Sequence, residues 1–284
     1  MIYPDSYHYL STATNIFLCG KPFYCSIIEL LGVFSPDPTY VARIFSLICS
    51  MLSIIAIYFF FERKSNSGFI ASFFFALSFT VVSWTNFVLP DSFAILLFLL
   101  FLCAGERWIV AIILLFLSGL VRPEYLSLLP LSILLYPKNK KARVTSLALF
   151  LSGAIYYILT YDFPSHIITI KNSFFDFPLN ILKYEPALVL GALASFFVLN
   201  KKKDEHGKFF IAQIVLFIAI FAWNNPSNWR YGMHLVVPLI YFGSSFVRYA
   251  IENVVRGVRV YDYVLVGFAV LIILQFYISY TGVL

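Results

Sequence analysis

Residues 91–130 read DSFAILLFLLFLCAGERWIVAIILLFLSGLVRPEYLSLLP. Two apolar runs, 91–104 and 108–121, flank a short break that carries Arg107, and a third run begins at Glu124. Runs of this kind bury their whole circumference in an apolar medium, because neither shows a polar face. Each holds 14 residues, about 21 Å at 1.5 Å per residue, less than the ~30 Å of a bilayer core. Such short helices are tilted, enclosed in protein, or set beside a water-filled recess.

The rest of the chain repeats the pattern. Apolar segments are expected near 40–61, 68–89, 91–104, 108–121, 124–136, 144–161, 186–199, 209–223, 231–247 and 263–282. Composition agrees: 61% of the 284 residues are hydrophobic, 19% aromatic and 12% charged. Soluble domains carry about 25% charged residues, so lipid is the solvent for most of this chain. The expected fold class is all-α, a polytopic integral membrane protein of about ten mostly short helices. It forms one membrane domain, with residues 1–35 an outer loop bearing interfacial helices and 36–284 the transmembrane part.

Fourteen of the 20 Lys and Arg residues fall in alternate loops, including Arg63, Lys64, Arg107, Lys138, Lys201, Arg248 and Arg259. By the positive-inside rule these loops are cytoplasmic. Asp5, Asp37, Asp91, Arg122, Glu124, Glu185 and Arg230 then face outward. The net charge of +6 is therefore topological and does not indicate a nucleic-acid partner. No connection is long enough for a nucleotide-binding domain, and no phosphate-binding glycine loop is present. The four cysteines lack metal spacing; Cys49 and Cys103 lie in apolar runs, whereas Cys19 and Cys25 could pair on an oxidising face.

Ionisable residues at membrane depth are costly and mark function. In YPDSYHYLSTATNIFLCGKP, residues 3–22, a helix lying in the interface is expected over 5–18, with Asp5 as its N-cap. Asp91 likewise reads as a cap, Arg122 with Glu124 as a local pair across Pro123, and Arg43 as a snorkelling arginine. Arg230 enters a helix beside the interfacial residues Trp229 and Tyr231, a position where a planar guanidinium suits phosphate. His234, one turn on, reads first as a satisfied polar residue. Asp5 and His8 are too few to hold a metal. Together the arginines could hold an anionic headgroup, with a nearby carboxylate as general base.

With these residues in place, the chain resembles the GT-C superfamily of polytopic glycosyltransferases. The likeness is to the branch of dolichyl-phosphate-mannose protein mannosyltransferases and the lipid A aminoarabinose transferase. The matching elements are Pro4-Asp5-Ser6 with Tyr9, Gly20-Lys21-Pro22, Ala42-Arg43-Ile44, Pro90-Asp91, Val121-Arg122-Pro123, and Arg230-Tyr231 through Val237-Pro238. They run in family order over roughly 3–245. The resemblance implies transfer of a sugar from a polyprenyl-phosphate donor to an acceptor hydroxyl on a glycan, lipid or protein at the extracytoplasmic face. It implies no metal or other cofactor.

Asp5 would match the family's base. Arg43, Arg122 and Arg230 would match donor-phosphate contacts, and Asp91 a supporting acid. Tyr9, Glu124, Tyr231 and His234 complete the candidate substrate site. Two features depart from the family: Ser6 stands where a second acid often follows the first, and the transmembrane helix that precedes this loop is missing. The alternatives are a lipid-linked glycan polymerase or ligase, and a secondary transporter.

Overall fold

The computed structural model describes residues 22–33, 37–85, 90–160, 176–198, 204–224 and 232–281. Among them every regular element is helical. The helices gather into two compact units that interleave in sequence. The first comprises Met1–Ala56 and Trp84–Ile167, the second Ile57–Ser83 and Ile168–Leu284.

In the first unit, α1 spans Pro22–Gly32 and α2 spans Pro38–Ser65, the latter continuing into the second unit. Asp37 starts α2: its Oδ1 accepts from the backbone N–H of Thr39 (2.9 Å) and of Tyr40 (3.2 Å), while Pro38 occupies the first helical position. This arrangement satisfies two donors that the helix cannot, and proline there loses nothing. Arg63 and Lys64 close the far end, where the helix dipole favours cations.

Helices α5 (Asp91–Ala104) and α6 (Trp108–Val121) form the expected antiparallel hairpin, turning at Gly105 with φ +52°. Ser118 Oγ donates to the Ala94 carbonyl at 2.8 Å and locks the pair near its open end. Helix α8 (Lys140–Thr160) packs on α6 through Tyr157, whose hydroxyl reaches the carbonyls of Gly119 and Leu120.

The expected helix over 124–136 is replaced by a 3₁₀ turn (Pro123–Ser127), a four-residue helix α7 (Leu128–Leu131) and a second 3₁₀ turn (Ser132–Leu134). Pro123 and Pro130 remove backbone donors. Ser132 instead bonds the Leu129 carbonyl (2.7 Å) and the Ser146 hydroxyl (2.6 Å) on α8.

In the second unit, the helix expected over 68–89 breaks at Ser78 with ψ 121° into α3 (Gly68–Leu77) and α4 (Phe79–Thr85), the latter continuing into the first unit at Trp84; residues 86–89 lie outside those described. Helices α9 (Asp176–Tyr184) and α10 (Pro186–Val198) meet at 105° across Glu185. Helices α11 (Glu205–Asn224), α12 (Met233–Val255) and α13 (Val260–Thr281) complete the unit. Its core is aromatic: Phe61, Phe210, Phe217, Phe221 and Tyr241 are buried, and the Phe210 and Tyr241 rings lie 4.7 Å apart.

Ten membrane segments were the expectation. Among the described residues three helices, Thr39–Ser65, Lys140–Leu159 and Met233–Val255, are long and apolar enough to cross a bilayer. The bent α9–α10 pair brings the number to four if it counts as one span. The shorter apolar helices include α3, α5 and α6. Outward-facing Ile155, Ile158 and Leu159 on α8 form an apolar strip of the kind a lipid surface covers.

One titratable group lies just ahead of the expected span 209–223. His206, in the first turn of α11, rests near the Phe60 ring, with 5.7 Å between ring centroids. Burial, reinforced by Lys64, lowers its pKa to about 4, against a smaller opposing pull from Asp204. The unfolded chain therefore binds more protons between pH ~6.5 and ~4. His206's contribution is complete above the upper limit and is lost as pH falls, by up to about 1.4 kcal/mol per pH unit. The thermal midpoint in detergent should drop over that window, and His206→Phe should flatten the drop. An unchanged profile in the variant would locate the acid sensitivity elsewhere.

Candidate functional site

The first unit builds a buried polar cluster at the open end of the α5–α6 hairpin. Antiparallel helices of equal length bring the start of one beside the end of the other, so Asp91 and Arg122 meet although they are 31 residues apart. Arg122 Nη2 donates to Asp91 Oδ1, and their side chains are 5% and 1% exposed. Asp91 is the first residue of α5, and Pro90 before it is the N-cap. The expected cap is thus an ion-pair partner, and Arg122 pairs across the hairpin to Asp91 where a local pair with Glu124 was expected.

Glu124 and Tyr125 follow on the 3₁₀ turn. Tyr125 is fully buried, its ring 5.3 Å from that of Phe98, within electrostatic reach of Asp91, Glu124 and Arg122. Around the hairpin end, Phe93 meets Phe23 of α1 (5.9 Å) and Phe45 of α2 (5.2 Å). Arg43, two residues before Phe45, is exposed. Cys25 on α1 is disulfide-bonded, while Cys49 and Cys103 are thiols outside any disulfide; Cys19 lies outside the described residues.

In the second unit His234 is buried on α12 against the rings of Phe221 (5.7 Å, stacked) and Phe217 (6.3 Å, edge-on). Gln213 of α11 reaches its backbone carbonyl at 3.4 Å.

A second buried acid was given only a loop position by sequence reasoning. Glu185, 1% exposed, accepts from Ser78 Oγ (2.6 Å), Thr80 N–H (2.8 Å) and Gln275 Nε2 (2.9 Å). It stitches the α3–α4 break, the α9–α10 bend and the later half of α13 into one junction. Gly232, just ahead of α12, sits beside Ile181 and Thr80 at the same place. Two signals in the sequence mark this junction: an acid directly before Pro186, and a lone glutamine in the apolar run 263–282.

The structure therefore brings together Asp91, Arg122 and Glu124 in one unit and places His234 in the other. Asp5, Tyr9, Arg230 and Tyr231, with the expected interfacial helix over 5–18, lie outside the described residues. Compared with protein-family models, curated proteins and solved structures, the chain matches none.

Proposed function

We propose that this chain is a membrane glycosyltransferase that moves a sugar from a polyprenyl-phosphate donor to an acceptor hydroxyl at the extracytoplasmic face. Asp5 is the general base in this reading, and Arg43, Arg122 and Arg230 are drawn to the donor phosphate. The observation that carries it is the buried Asp91–Arg122 pair. It joins the Pro-Asp and Arg-Pro elements of the GT-C resemblance, which are separated in sequence, at one end of an apolar hairpin.

An arginine already neutralised by a buried carboxylate is a positioned group more than a free charge. Held there, Arg122 meets the donor phosphate from a fixed position ahead of the Glu124–Tyr125 turn, with the exposed Arg43 as a second contact. A disulfide at Cys25 suits the oxidising side of a membrane. In this reading the shorter apolar helices α3, α5 and α6 belong to the membrane part as well.

The test is sugar release by the chain reconstituted with a radiolabelled polyprenyl-phosphate hexose. Asp5→Asn should lower turnover about a hundredfold or more, the scale of a lost general base. Equal release by variant and wild type would remove Asp5 from that role. A secondary transporter is the reading favoured by one feature, the 105° break at the buried Glu185, since broken helices often bind transported solutes. Donor-independent solute flux into proteoliposomes would select it.

A further inference from the structure

The second unit also holds a groove of about 230 Å³ whose lining is apolar throughout. Phe69 and Phe73 come from α3, Val247 from α12, and Leu265, Phe268 and Ile272 from α13. Phe69 and Phe73 are 75% and 48% exposed, so the groove is open at the side. Helices α3 and α13 begin, and α12 ends, at the same end of the groove. Phe69, Val247 and Leu265 therefore form its mouth, and it runs about 10 Å along α13 from Leu265 to Ile272.

The mouth is cationic. Arg248 adjoins Val247 and ties two elements together: its Nη1 donates to the Ser65 carbonyl and its Nε to Glu252 Oε1 at 2.8 Å. Arg63 and Lys64 end α2 six and five residues before Phe69, and Arg256 and Arg259 sit where α12 gives way to α13. The acids on these elements are Glu62, Glu252 and Asp262. Glu62 accepts from the Gly68 N–H at 3.0 Å and Glu252 pairs with Arg248, so the cations are in excess.

We propose that this groove is a site for an anionic phospholipid, with a hydrocarbon chain along Phe69, Phe73, Phe268 and Ile272 and the phosphate at the Arg248 end. An apolar slot open to the side suits a lipid chain. A guanidinium at its mouth, with other cations nearby, favours a charged phosphate over a zwitterionic headgroup. By the positive-inside pattern this lipid belongs to the cytoplasmic leaflet, so the site is independent of the proposed outer-face chemistry.

The test uses the full chain in detergent, with phosphatidylglycerol, phosphatidylcholine and chain-free glycerol phosphate as probes. Native mass spectrometry reads bound lipid and a melting curve reads stability. Phosphatidylglycerol should be retained and raise Tm by several degrees, while the other two should not. Ala269→Trp fills the slot from α13 and should abolish the response with the lipid-free Tm unchanged. Arg248→Gln should bind both lipids alike, and Arg248→Lys should restore the preference.

Should a variant fail to fold, phosphatidylglycerol with a diazirine in its chain should label wild-type residues 69–74 and 265–272. Equal retention of both lipids by wild type would overturn the proposal. So would a Tm shift from glycerol phosphate alone, undiminished binding in Ala269→Trp, labelling elsewhere, or a lipid-free dimer that hides the groove.

Discussion

Replacing Arg122 with alanine should cost about 3–5 kcal/mol of stability, because it strands the Asp91 carboxylate at 1% exposure with its buried partner gone. Asp91→Ala should do the same from the other side. A buried ion pair gains little over a packed apolar pair, since both charges must leave water first; breaking it is what costs. The double replacement Asp91→Leu with Arg122→Met should therefore recover most of the loss. Reversible unfolding in mixed detergent micelles measures all three.

Single variants within about 1 kcal/mol of wild type would mean that water reaches the pair. The double variant also separates folding from chemistry. If it is stable yet releases no sugar, the charges serve the reaction; if it is stable and active, they serve only the hairpin.

The Glu185 junction should give the second largest effect. Glu185→Ala leaves Ser78 Oγ, the Thr80 N–H and Gln275 Nε2 without their acceptor in a buried setting. Each stranded donor costs about 1–3 kcal/mol, partly relieved by relaxation, so a net loss of about 3 kcal/mol is expected. Glu185→Gln should cost about 1 kcal/mol, because Gln275 can turn its amide over and accept from the new one. The ordering of the two variants is the discriminating result. Equal losses would show that negative charge at the bend matters more than acceptor geometry, and no loss in Glu185→Ala would show that the junction is wet.

Much of this was legible from local signals. Fourteen-residue apolar runs joined at Gly105 form the α5–α6 hairpin, and Pro38 starts α2. The 123–136 segment carried its own warning in two prolines, which outweigh its hydropathy once the Ser132 side chain bonds backbone and α8. Ser78 gave no such warning. Nothing about a serine in an apolar run breaks a helix until Glu185, 107 residues away, accepts its hydroxyl. The partner of Arg122 was derivable in principle: equal antiparallel helices must return residue 122 to the level of residue 91. Sequence proximity to Glu124 obscured it.

Hydropathy is a property of short windows, so residue order alone foretold the apolar helices, three of them among the described residues long and apolar enough to cross a bilayer. Which buried acid meets which donor is a property of distant segments that converge. Asp91 with Arg122, and Glu185 with Ser78, Thr80 and Gln275, became visible only once the helices were packed. The physical reason is the same in both clusters. A polar group removed from solvent must find its partner among whatever residues the fold brings near, and no local rule names them.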